Sequence, residues 1–129
     1  RVILRGDSLA ECYCPWYRTD LGNCAWSTPE AEPYSIASWA EHYHSGVDVP
    51  GKERVEQLMK HPTRISGSGP ILLVEDMHLK VSVIAEGNKR ACAAYVGGAD
   101  IEAIRFQSLY SHALFPSDFL PHILKLKCQ

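Results

Sequence analysis

The chain has 129 residues, 46% of them hydrophobic and 22% charged, which suits one soluble domain with a single moderate core. Its formal charge of −2 excludes a global nucleic-acid footprint, so any nucleic-acid contact must come from a local basic patch. No apolar run approaches membrane-spanning length and no signal-peptide pattern opens the chain, so no membrane partner is expected. Five cysteines, an odd number at low density, argue against a secreted disulfide scaffold and for reduced thiols in a cytoplasmic protein.

Arg1 to Arg5 reads as a first strand, ended by Gly6-Asp7-Ser8. From Leu9 to Pro33 the pattern turns irregular, with Trp16, Tyr17 and Trp26 among prolines, glycine and cysteines, and is expected to form a long loop or a small excursion. Cys12, Cys14 and Cys24, with His42 and His44 beyond, have the chemistry of zinc ligands. Their spacing matches no common finger pattern, so buried or idle thiols are the expectation.

Ser35 is placed to cap a helix over 36–44, in which Ile36, Trp39, Ala40 and Tyr43 form an apolar stripe. That leaves His42 on the polar side and His44 near the helix end, where a cation is favoured. After a break from Gly46 to Gly51, residues 52–61 read as a second helix with Val55, Leu58 and Met59 on one face; Pro62 ends it. Lys52 and Arg54 stand near its N-terminus, where positive charge opposes the helix dipole unless an anion lies nearby. Arg64 to Pro70 reads as a flexible connector. Ile71 to Val74 forms a strand, and Glu75 to Lys80 turns the chain into a second one over Val81 to Ala85.

There the most informative stretch begins. Glu86-Gly87-Asn88-Lys89-Arg90 joins that strand to an alanine-rich helix closed by Gly97-Gly98. The first N–H groups of a helix lack intrahelical partners, so anionic oxygens settle at such a turn. Gly87 permits positive φ or close backbone approach, while Lys89 and Arg90 bring full charges, Arg with a bidentate grip on phosphate. Glu86 is a carboxylate suited to hold a divalent cation between phosphates or to act as a base. The turn is therefore a candidate phosphate site; as a plain surface turn, its charges would merely be solvated. Ile101 to Phe106 alternates as a further strand, Leu109 to Phe115 is apolar again, and a last helix is expected from Ser117 or Asp118, with Phe119, Leu120, Ile123 and Leu124 inward. The fold class is α+β, a small mixed sheet with helices packed over it, in one domain over 1–129.

Lys52 to Phe106 resembles the ParB/sulfiredoxin superfamily: helix, loop, strand, turn, second strand with a phosphate box, alanine-rich helix and strand. Gly87 to Ala94 is similar to the Gly-Glu-Arg-Arg box and following helix of ParB proteins, and can also be laid on the Gly-Gly-Cys-His-Arg box of sulfiredoxins. Arg54 to Leu58 resembles the sulfiredoxin segment whose Lys reaches nucleotide phosphates. The recognisable part is 33–129, with 9–33 as an irregular excursion. Asn88 stands where sulfiredoxins carry their nucleophilic Cys, which speaks against sulfinic-acid reduction, and Cys92 falls inside the helix. In the ParB box an acid follows the glycine; here Glu86 precedes Gly87. No helix-turn-helix module is visible, so sequence-specific DNA reading is not expected.

The resemblance implies a nucleotide-binding hydrolase, an ATPase or nuclease, taking ATP or CTP with Mg²⁺ or Mn²⁺. It also implies DNA contact through phosphates without sequence specificity, and in some plasmid relatives inhibition of DNA transfer (fertility inhibition). Carried onto this chain, Gly87, Asn88, Lys89, Arg90 and Arg54 contact phosphate and Glu86 is the metal ligand or base. Two alternatives stand beside it: a non-catalytic interaction module that keeps the box as a structural turn and meets a protein partner through its N-terminal aromatic loop, or a small-molecule kinase on the same fold.

Overall fold

The computed structural model describes residues 1–19, 21–24, 31–77 and 80–108, and the expected last helix lies outside them. It is α+β, with a mixed sheet of seven strands and five helices among those residues. The strands are β1 (Val2–Leu4), β2 (Tyr13–Thr19), β3 (Gly22–Cys24), β4 (Glu32–Ser35), β5 (Ile71–Asp76), β6 (Val81–Glu86) and β7 (Ile101–Ser108). The helices are α1 (Asp7–Ala10), α2 (Ile36–His44), α3 (Lys52–Lys60), α4 (Thr63–Gly67) and α5 (Asn88–Val96). Along the sheet the order is β1-β7-β5-β6-β2-β3, with β4 paired to the other side of β2.

At the centre β5 pairs antiparallel with β6 and parallel with β7, the latter in register from Ile71↔Ala103 to Asp76↔Ser108. Two expected strands therefore run longer than the apolar runs that announced them. A break in the β5–β6 ladder between Leu72 and Leu73 lets Leu73 face Ile84 while Leu72 faces Glu86. This bulge lies immediately before the turn into α5, where such irregularities re-aim the chain.

Helix α2 begins where its cap predicts. The Ser35 hydroxyl accepts from the Ser38 N–H and the Ser38 hydroxyl accepts from the Ser35 N–H, a reciprocal capping box. Ile36, Trp39 and Ala40 are buried; Trp39 donates through Nε1 to the Pro50 carbonyl at 2.9 Å and stacks on Tyr43, ring centroids 5.2 Å apart. Tyr43 in turn donates to Glu56 at 3.2 Å, tying α2 to α3. Helix α5 packs against the other four helices and β5, and its Ala91, Cys92, Ala93 and Ala94 are all fully buried. With Ile71, Leu73, Ile84, Ile101 and Ala103 from the sheet they form one hydrophobic core.

Two expectations are corrected. The described part of 9–33 is not a long irregular loop: α1 and the strands β2, β3 and β4 occupy most of it. Strand β2 pairs with β3, β4 and, in parallel at Tyr13↔Val83, with β6. Pro15, which cannot donate to a ladder, falls within the register break between Tyr13 and Tyr17 on the β4 side, and this masks the strand in the sequence. Cys12, Cys14 and Tyr17 are buried and Trp16 is half-buried against the core, so these side chains form no free aromatic surface; Trp26 lies outside the described residues. Residues 64–70 are likewise not a plain connector, because α4 forms around a buried Ile65. No helix among the described residues is long and apolar enough to cross a membrane.

Burial pushes the Cys12 thiol up to about 12 and the Cys14 thiol well above its ordinary value, where a hydrogen bond with Cys92 adds to the effect. The thiolate is the reactive form, so Cys12 and Cys14 should stay unlabelled by iodoacetamide at about pH 8 in the folded protein, as should Cys92, which is fully buried from the reagent; all three should react in denaturant. Peptide mass spectrometry after labelling reads this directly, and rapid labelling of all three in the native state would contradict the burial.

Candidate functional site

The turn into α5 is built around a close contact. Gly87 is the N-cap residue with φ +93°, a left-handed conformation. A Cβ added there would lie 2.3 Å from Ile71 Cγ2 and 2.8 Å from Ile71 Cβ. Glycine is thus required twice, by its dihedral and by the space Ile71 leaves. Both reasons foreseen for Gly87, positive φ and close approach, hold in the structure.

Beyond Gly87 the box divides. Asn88 turns back and donates from Nδ2 to the Ile84 carbonyl at 3.2 Å, while its Oδ1 is buried without a hydrogen bond. Arg90 donates from Nη1 to the carbonyls of Ile65, at 3.4 Å, and Gly69, clamping the end of α4 and the start of the approach to β5. A guanidinium there also offsets the negative end of the α4 dipole. Lys89 is exposed and its aliphatic stem lies over Gly51, with Cγ and Cε each 3.1 Å from where a Gly51 Cβ would sit. Glu86, the last residue of β6, is exposed.

Lys89 opens onto a groove of about 500 Å³ whose lining includes Asp48, Gly51, Lys52, Glu53 and Arg54. Lys52, Arg54 and Lys89 thus meet two carboxylates, an excess of one positive charge. The groove sits at the start of α3, whose N-cap is Gly51 at φ +72° with no side-chain cap, so its first N–H groups remain for other acceptors. The structure therefore brings Arg54 and Lys89 together and adds Lys52, which sequence reasoning noticed only as a misfit with the helix dipole. Gly87, Asn88, Arg90 and Glu86 are not among the groove's lining residues.

No three His, Cys, Asp or Glu side chains among the described residues converge as a metal set. Mg²⁺ commonly takes one or two protein carboxylates with the rest from water and phosphate; Glu86 is an exposed carboxylate, outside the lining of the groove. For zinc, Cys12 and Cys14 are core residues, Cys12 donating to the Ser8 carbonyl at 3.4 Å, and the Cys24 side chain lies outside the described residues. No protein-family model, curated protein or solved structure matches this chain.

The division of the box predicts opposite behaviours for neighbouring cations. Arg90→Ala should lower unfolding free energy by about 1–2 kcal/mol, because two carbonyls lose a charged donor. Lys89→Ala, on the surface, should stay within about 0.5 kcal/mol of the parent. Urea denaturation of both variants tests this, and equal stabilities would show that the Arg90 clamp contributes nothing. Gly87→Ala should cost about 3 kcal/mol or more, since steric overlap adds to backbone strain; Gly46→Ala, also at positive φ (+79°) but with open space around it, should cost only about 1 kcal/mol. Thermal melts of the two glycine variants separate overlap from strain.

Proposed function

We propose that this chain is a ParB-like domain that binds the phosphates of a nucleoside triphosphate, ATP or CTP, or the phosphodiesters of DNA without sequence specificity. The observation that carries the reading is the convergence of Lys52, Arg54 and Lys89 at the uncapped N-terminus of α3. Three cations and oriented N–H groups make an anion site whose contacts are charge-assisted. The order helix, strand, strand, glycine turn, alanine-rich helix, strand supports the ParB-like part. In this reading the phosphates lie along Lys52, Arg54 and Lys89, while Gly87, Asn88 and Arg90 hold the turn that places Lys89. Glu86 is the group for metal-dependent hydrolysis of NTP or DNA; bound Mg²⁺ or Mn²⁺ would neutralise developing charge on the phosphoryl oxygens.

A second reading has a specific observation in its favour. Gly87, Asn88 and Arg90 all serve the fold, as expected of an interaction module that retains the box as a structural turn.

Binding separates the two. Saturating ATP or CTP with Mg²⁺ should raise the melting temperature, corresponding to about 2.7 kcal/mol at a hundredfold excess over the dissociation constant. Lys89→Ala combined with Arg54→Ala should abolish the shift and leave the unliganded melt in place. Turnover is measured in parallel with labelled ATP and with single- and double-stranded DNA. Glu86→Ala should retain binding and lose hydrolysis, since removing a base or metal ligand slows chemistry more than it weakens phosphate contacts. No thermal shift at millimolar nucleotide and no DNA binding would favour the interaction module.

A further inference from the structure

A second cavity, of about 270 Å³, is lined by side chains of β2, β4 and α2, among them Arg18, Thr19, Glu32, Tyr34 and His42. It shares no lining residue with the groove at Lys89. Arg18 and Glu32 are direct partners across the antiparallel β2–β4 pair, a placement in which opposite charges usually bond. Here they form no ion pair.

The rest of the cavity explains why Arg18 is held away. Its Nη1 donates to the Tyr34 hydroxyl at 3.0 Å and to the Asp48 carbonyl at 3.1 Å, with Asn23 Oδ1 at 3.4 Å. Tyr34 donates to Asn23 Oδ1 at 2.6 Å, and Asn23 donates to the same Asp48 carbonyl at 3.1 Å. This closed network fixes the guanidinium through one nitrogen. Among the described residues its Nε and Nη2 make no hydrogen bond. Five N–H donors on a rigid plane suit a carboxylate, and the free edge is the bidentate one.

His42 is fixed as well. Its Nδ1 lies 2.7 Å from the Ser38 carbonyl, an oxygen that only accepts, so Nδ1 carries the proton. In the neutral ring Nε2 is then an acceptor, and the Tyr34 ring holds the imidazole edge-on at a centroid distance of 5.6 Å. Glu32 is exposed and its side chain bonds to no described residue. The lining of one cavity thus combines a guanidinium whose Nε and Nη2 are free among the described residues with two acceptor groups, the Glu32 carboxylate and the His42 ring.

We propose that this cavity binds a small zwitterion of the α-amino acid class, its carboxylate on the free edge of Arg18 and its ammonium between Glu32 and His42. A ligand carrying both charges satisfies the Arg18–Glu32 pair that the strands set opposite each other and the Tyr34–Asn23–Asp48 network keeps apart. A simple anion would meet Glu32 with repulsion, and a simple amine would meet Arg18.

The test is a titration of the full chain with the proteinogenic L-amino acids, followed by ¹⁵N–¹H NMR of the backbone, the Arg18 Nε–H and the His42 ring. At least one amino acid, at concentrations up to tens of millimolar, should shift Arg18, Thr19 and His42 together. Its deaminated acid and decarboxylated amine should each bind about tenfold or more weakly, as loss of a charge-assisted contact requires. Glu32→Gln should weaken the amino acid by a similar factor at unchanged melting temperature, because the Glu32 side chain bonds to no described residue. Lys89→Ala should leave the affinity as it is, which keeps this cavity distinct from the phosphate groove. The proposal is overturned if no amino acid moves these resonances, if either single-charge analogue binds as well, if Glu32→Gln binds like the parent, or if Lys89→Ala abolishes binding.

Discussion

The architecture depends on one close approach, that of Gly87 to Ile71. The chain leaves β6, passes a bulge, and must enter α5 directly beneath a buried side chain of the neighbouring strand. Only a residue without a Cβ in a left-handed conformation makes that turn. The helix it starts is walled in by the other four helices and β5, so its inward positions must be small. Ala91, Cys92, Ala93 and Ala94 meet that requirement, and alanine also favours the helix intrinsically. A larger residue at any of these positions would push apart elements that share one core.

The same geometry explains why a contiguous motif does not act as a contiguous site. Successive residues at the start of a helix point about 100° apart, with 3.6 residues per turn. Asn88 therefore reaches back to Ile84, Lys89 reaches outward across Gly51, and Arg90 reaches round to α4. Three polar residues in a row meet three different surroundings. The cation that faces a groove does so because Gly51, on another helix, leaves room for its stem.

Features encoded by near neighbours were legible in the sequence. Ser35 and its stripe define α2, Gly87 and the alanines define α5, and both glycine arguments hold at the atomic level. What was not legible depends on residues far apart in the chain. Strand β2 contains Pro15 and owes its pairing to β4 and β6, so its own pattern is too broken to announce it. Helix α4 is short, preceded by Pro62 and closed by Gly67, and only the burial of Ile65 accounts for it. The duty of Arg90 depends on two carbonyls that precede it by 25 and 21 residues, across the β5–β6 hairpin, and its charge in a phosphate-like box pointed elsewhere. The pairing of Lys89 with Lys52 and the cavity between Arg18 and His42 are likewise products of tertiary placement, with no local signature.

The ladder between β1 and β7 joins Val2 to Ala103, and that between β2 and β6 joins Tyr13 to Val83. The hairpin β5–β6, helix α5 and strand β7 are consecutive in the chain, whereas the N-terminal strands complete the sheet from both sides across long separations. Closing such loops is entropically unfavourable before the contacts reward it, so high contact order slows folding. On a ribosome the first strand emerges long before its partner exists. The β1–β7 ladder can close only once β7 has been made, so its long separation along the chain delays this pairing relative to the β5–β6 hairpin.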